Sequence, residues 1–355
     1  QLGYNYNNKY YFDFSGALIN STRLPKNNRA AFSPTLNLGW IMSEEDFMKN
    51  SSVVDMLKVS ASAGIINTDT DLVNIESQSG YYLYDPVYKS SGYFSWRDSG
   101  EGSYVNQATT IQQSQNKMLK YATRKEVNFS VEALMLDGSL GVKATAFLIK
   151  KDGIPVQVRS IYPSLFLSYY PEKSFYPYMN YDVTRYSGFD FQIDYKKQIG
   201  QVLLEAGVSG TFVSTKVLKR DELYADSYQN RQGKPVDAIF GLKNSGFFMD
   251  NDQINQSSAQ KFGELRPGDI RYIDQNDDKI IDDRDEVMLG KWNAPFNFGV
   301  HLSATWNNFS LYAFLNGQFG GTGVKNSEYY WVYGDRKYSE LVRDSWTESN
   351  KQTAK

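Results

Sequence analysis

Apolar and polar residues alternate along most of this chain with a period of two. Leu57, Val59, Ala61, Ala63 and Ile65 interleave with Lys58, Ser60, Ser62 and Gly64. Val127, Phe129, Val131, Ala133 and Met135 interleave with Asn128, Ser130, Glu132 and Leu134, and after Asp137-Gly138-Ser139 the pattern resumes at Leu140, Val142, Ala144, Ala146 and Leu148. Successive side chains of a strand point to opposite faces, so each run predicts a strand with one apolar and one polar face. Asp-Gly between two such runs is a hairpin signal. The same template fits Phe189–Tyr195, Val202–Phe212, Phe296–Trp306, Phe309–Leu315, and shorter runs in Phe12–Leu18 and Leu36–Trp40. That makes about nine strands of about ten residues, the length that crosses a bilayer when tilted.

The connections sharpen the picture. Tight turns join residues 135 to 140, 197 to 202 and 306 to 309, while long polar segments cover roughly 66–124, 150–187 and 214–294. Short turns on one side and long loops on the other is the layout of a transmembrane β-barrel. A soluble β-sandwich also alternates. Its strands are usually shorter, however, and loops of this size are uncommon in compact domains. Composition agrees with the barrel: aromatics make up 15% of the chain, with 27 Tyr, 21 Phe and 6 Trp. Such residues form girdles at the two membrane interfaces. The absence of Cys removes disulfides and zinc-thiolate sites. One His removes His-rich metal sites, and a net charge of −2 argues against a nucleic-acid partner.

One loop carries chemistry in its spacing. From Asp274 to Asp285, oxygen side chains fall at positions 1, 3, 5, 9 and 12 (Asp274, Asn276, Asp278, Asp282 and Asp285), and Ile280 at position 7 could offer its carbonyl. This is the arrangement of an EF-hand calcium loop. Lys279 stands where that loop prefers Gly, Asp285 where it prefers Glu, and no flanking helices are evident. Calcium, another cation and a metal-free turn closed by its own Asx side chains all remain open. Aromatic clusters within 81–96 and 169–181 make Tyr88, Trp96, Tyr170 and Tyr178 candidates for substrate contact, with interface belts or loop packing as the competing reading. His301 and the carboxylates Asp190, Asp194 and Glu205 lie on polar faces. There solvation and partners such as Lys196 explain them better than catalysis does.

The stretch Pro267-Gly268-Asp269-Ile270-Arg271-Tyr272-Ile273-Asp274-Gln275-Asn276, followed by Ile281-Asp282-Asp283 and by Leu289 through Phe296, resembles SusC/RagA-type TonB-dependent transporters. Asn307-Asn308-Phe309, Asn316 through Gly321, Pro34 through Trp40, Ser43-Glu44-Glu45-Asp46-Phe47, Leu57 through Gly64, Gln232-Gly233-Lys234-Pro235 and Gly246-Phe247-Phe248 fit as well. Lys279 and Ser62 depart from the family pattern. The resemblance implies an all-β fold: the C-terminal portion of a 22-stranded antiparallel barrel, about 9–12 strands over residues 1–355, with the plug domain and TonB box outside this chain. It implies no enzyme activity and an outer-membrane location in a Bacteroidota-like Gram-negative cell. Partners would be a SusD-like surface lipoprotein acting as a lid, TonB through the missing N-terminal part, the remaining barrel and plug segments, and outer-membrane lipids. A dimer of transporter–lid pairs is compatible with it. The function implied is active import of oligosaccharides or peptides. A passive porin and a secreted calcium-binding carbohydrate-binding module are the alternatives.

Overall fold

The computed structural model describes residues 1–355 except 80–81, 98–102, 164, 166–175, 328, 331–333, 335–338 and 352–355. The first strands are β1 (Leu2–Tyr6), β2 (Tyr10–Asn20), β3 (Ala30–Ile41), β4 (Val54–Thr68), β5 (Val87–Arg97) and β6 (Ser103–Gln113). Then come β7 (Ala122–Met135), β8 (Leu140–Gln157), β9 (Tyr178–Ile199) and β10 (Val202–Lys219). Six short strands follow: β11 (Ala238–Leu242), β12 (Asn244–Phe247), β13 (Ala259–Gln260), β14 (Ile270–Tyr272), β15 (Ile280–Ile281) and β16 (Glu286–Lys291). The last two are β17 (Phe296–Trp306) and β18 (Phe309–Phe319). No described helix is long and apolar enough to cross a membrane.

The chain divides into two units. The larger, residues 1–223 and 295–318, holds a ten-stranded sheet in the order β1-β2-β3-β4-β7-β8-β9-β10-β17-β18. From β1 to β17 every neighbouring pair in it is antiparallel. This meander is a partial β-barrel, and all its tight connections lie at one end of the strands. Asn7 and Asn8 (φ 53° and 56°), Leu136 and Asp137 (φ 60° and 55°), Gly200 (φ 61°) and Asn307 (φ 49°) adopt the left-handed conformation that two-residue hairpin turns require. The smaller unit, residues 224–294 and 319–355, is built on the two-stranded ladders β11–β16, β12–β14 and β13–β15.

All nine expected strands are present. β1 goes beyond the expectation, because three outward residues (Leu2, Tyr4, Tyr6) are too few to establish a period. The long segments also need correction. β8 runs to Gln157 and β9 starts at Tyr178, so only residues 158–177 connect them. Register shifts at Asp152/Ile154/Pro155 and at Val217/Lys219 break the alternation while the ladder itself continues, as β-bulges do.

The sheet's two faces differ as the pattern requires. On the apolar face Val127, Phe129 and Leu148 remain about half exposed, with nothing in this unit covering them. On that face rings lie across neighbouring glycines: a Cβ on Gly210 would fall 2.6 Å from Phe191, one on Gly16 2.5 Å from Phe32, and one on Gly317 2.6 Å from Phe298. The unit's buried core is small. It sits at the long-loop end, where Leu24, Leu72, Leu83, Leu119, Tyr121 and Tyr178 cluster.

Gly188 is the tightest position of the sheet, since a Cβ there would fall 1.9 Å from the carbonyl oxygen of Phe212. Backbone must move to admit it. Gly188→Ala is therefore expected to destabilise the barrel by about 1–3 kcal/mol, read as a lower midpoint in urea unfolding monitored by gel mobility; an unchanged midpoint would contradict this packing.

Candidate functional site

The acidic loop belongs to the smaller unit, between β14 and β16. Its carboxylates are occupied by the loop's own groups. Asp285 is fully buried and accepts from the backbone N–H of Gln275 (2.8 Å) and of Asp282 (2.9 Å). Asp274 accepts from Lys279 N–H and from the Ser258 hydroxyl, both at 2.8 Å. Asn276 receives Asp278 N–H at 3.0 Å, and Asp278 receives Ile280 N–H at 2.9 Å. The Arg284 guanidinium pairs with Asp278 and reaches Asp282 at 3.4 Å. Asp282 is held below the ordinary carboxylate range, chiefly by the Arg284 backbone N–H and then by its side chain. Burial pushes Asp274 up, but the Ser258 hydroxyl and the backbone N–H groups of Lys279, Asp277 and Asp278 bring it below its ordinary value.

The residues of the expected ligand set, Asp274, Asn276, Asp278, Ile280, Asp282 and Asp285, are thus drawn into one loop by hydrogen bonds and by Arg284. Arg284 brings a positive charge against Asp278 and Asp282. Asp274 Oδ1 is buried without a hydrogen-bond partner. The spacing is that of a cation loop, and the same side chains also accept from backbone N–H groups as Asx turns do.

The aromatic candidates separate. Tyr88 on β5 is 61% exposed, and Trp96 stands on the same strand opposite Tyr104 in the ladder. Tyr170 lies outside the described residues. Tyr178 opens β9 rather than lying in a loop, and is buried in the loop-end core. On the polar face of the large sheet, Lys143, Asp190, Gln192, Thr211, Asn297 and Asn316 line a shallow depression of about 490 Å³. Lys196 pairs with Glu205 at 2.7 Å, and Ser303 donates to the same carboxylate at 3.2 Å. His301 Nε2 lies 3.9 Å from Asp194. These polar residues are interlinked along a wall, with no nucleophile–base pairing among them.

No protein-family model matches the chain. Over 339 residues it is 22% identical to TonB-dependent receptor P3 of Formosa agariphila, covering 90% of this chain and 31% of that protein. It is also 22% identical over 353 residues to the TonB-dependent receptor SusC of Bacteroides thetaiotaomicron, covering 89% and 31%. The structure of the RagAB peptide importer in its open-open state superposes on 99% of the chain with a TM-score of 0.73 at 16% identity, using 36% of that chain. This chain is SusC/RagA-like. It spans about a third of the length of the curated relatives it matches.

One site in the SusC/RagA-like sheet was missed as chemistry, although its residues were visible in the motif Ser43-Glu44-Glu45-Asp46-Phe47. Glu45, in the connection from β3 to β4, accepts from Tyr10 OH (2.7 Å), Lys9 Nζ (2.9 Å) and Trp40 Nε1 (3.1 Å). The Tyr10 and Trp40 rings stack 6.4 Å apart. One carboxylate thus ties Tyr10 of β2, Trp40 of β3 and Lys9 of the β1–β2 turn to the β3–β4 connection. The Tyr10 hydroxyl, then Lys9 and Trp40, hold its pKa at about 2.

Two expectations follow. A depressed carboxylate stabilises the fold above its unfolded pKa of ~4.3 and loses that contribution as pH falls toward about 2. Unfolding midpoints measured from pH 6 down to pH 2 should therefore fall more for the native chain than for Glu45→Gln. In the acidic loop, Lys279 has a left-handed φ of 66°. Lys279→Gly should stabilise the loop by roughly 0.5–1 kcal/mol, seen as slower proteolysis within 274–285. Calcium added against EDTA should leave that proteolysis rate unchanged if the loop is metal-free; clear protection by calcium would establish the cation reading.

Proposed function

We propose that this chain forms part of the barrel wall of an outer-membrane, TonB-dependent importer of oligosaccharides or peptides. What supports the reading most is a ten-stranded meander with one uncovered apolar face, matched along nearly its whole length by transporters of this type. The apolar face meets lipid and the polar face lines the lumen. The long connections at one end face the cell exterior, where Tyr88 and the hairpin of β5 and β6 are available to cargo.

Import through such a wall is gated binding, without covalent chemistry. The lumen depression around Lys143, Asp190 and Asn297 offers hydrogen bonds of both senses, which suits sugar hydroxyls and peptide amides alike. SusD-like lipoproteins are the partners this reading assigns to the exterior loops. TonB would deliver energy to a plug carried by the longer protein. The relatives' origin in Formosa and Bacteroides supports a Bacteroidota envelope.

The test is genetic and direct. The protein should fractionate with outer membranes and require detergent for extraction. Deleting its gene should abolish growth on one oligosaccharide or peptide source, and deleting the cell's TonB should reproduce that defect. Uptake that persists without TonB would establish a passive pore instead, and a protein remaining in the aqueous phase would reject the barrel altogether.

A further inference from the structure

Charges are nearly absent from the apolar face, and the exceptions are arranged. On β7 through β10 the outward positions carry no charge from Met135 to Val127, from Leu140 to Leu148, from Tyr195 to Ser187 and from Val202 to Ser214. The next outward residue toward the long-loop end is then a cation in all four strands: Lys125, Lys150, Arg185 and Lys216. The ladder places them directly opposite one another, Lys125 with Lys150, Lys150 with Arg185, and Arg185 with Lys216. Like charges directly opposite across a ladder repel. Asp152 relieves only Lys150, at 3.1 Å, and no described carboxylate pairs with Lys125, Arg185 or Lys216.

Depth and surroundings say what could compensate the row. From Met135 to Lys125 a strand tilted by about 40° climbs roughly 25 Å, the height of the apolar band of an outer-membrane barrel. The row therefore stands where hydrocarbon gives way to headgroups. Beside it, Phe14, Leu36, Ile65, Val127 and Leu148 line an apolar groove of about 460 Å³ to which Lys125, Lys150 and the single acidic residue Glu126, paired with Arg124, also contribute. A groove for acyl chains ending at a line of cations is complementary to an amphiphile whose headgroup carries phosphate.

We propose that Lys125, Lys150, Arg185 and Lys216 form a seat for a phosphorylated, acylated lipid of the outer leaflet, with its phosphate on the row and its chains in the groove. The proposal rests on the apolar face being the lipid-facing one. Bound phosphate removes the repulsion that the ladder imposes, so lipid and barrel stabilise each other.

The test uses the protein extracted from its native membrane and exchanged into phosphatidylcholine nanodiscs. These are doped either with diphosphorylated lipid A or with the same lipid after phosphatase treatment. Affinity for the phosphorylated form should exceed that for the dephosphorylated form by about tenfold or more. The variant K125Q/K150Q/R185Q/K216Q should lose that preference, whereas Lys197→Gln, an outward cation at the turn end, should keep it. Inorganic phosphate at millimolar concentration should not compete. Equal binding of both lipids to the native protein overturns the proposal, and that comparison needs no folded variant. Equal lipid preference in a folded four-site variant also overturns it, and full competition by inorganic phosphate would reduce the row to a free-anion site. Failure of the barrel reading is distinguishable, because the protein would not enter nanodiscs.

Discussion

Inside a bilayer a strand has no water to satisfy its backbone, so every N–H and C=O of a spanning strand must meet a neighbouring strand. That ladder is the constraint on which the rest of this protein depends. It runs without interruption from β1 to β18 in the large sheet. Because side chains alternate across the sheet, the register of the ladder also decides which residues share a face. A slip of one residue would turn every apolar side chain of a strand into the lumen. The close fits of rings over Gly16, Gly210 and Gly317 help to hold that register on the apolar side. On the polar side the Lys196–Glu205 pair and the Ser130–Thr145 hydrogen bond do the same.

A wall of this kind has no interior of its own. Burial is concentrated where the long connections fold back over the sheet end, around Leu24, Leu72, Leu83 and Leu119. At the other end a single carboxylate, Glu45, gathers Tyr10, Trp40 and Lys9 into a clip between strands and turn. Stability is thus distributed along the ladder, and the loops are left available for recognition. In the smaller unit Arg284, the Ser258 hydroxyl and backbone N–H groups engage carboxylates of the acidic loop.

Much of the fold was legible because alternation is a local property. The runs around Leu57–Ile65, Val127–Met135 and Val202–Phe212 each declare a strand from nine to eleven residues. The parts that were not legible are those where locality fails. Bulges near Ile154 and Lys219 shift the period, so the long-loop ends of β8, β9 and β10 read as loop. Tyr178 read as a loop aromatic because nothing near it in the chain indicates Leu24 or Leu119, its distant neighbours in the core. In the acidic loop the oxygen spacing was visible, but the pairing of Arg284 with Asp278 was not, because it depends on the turn at Asp282–Asp285.

By itself the sequence determined the class of structure: strands long enough to cross a bilayer, one face apolar and one polar, with tight turns at one end and long connections at the other. These follow from side-chain chemistry at a spacing of two, which is readable residue by residue. Only the tertiary structure decided which residues of different strands stand side by side. Pairing between strands is set by register, not by distance along the chain, and register brought Lys125, Lys150, Arg185 and Lys216 into one row although Lys150 and Arg185 lie on different hairpins joined by residues 158–177.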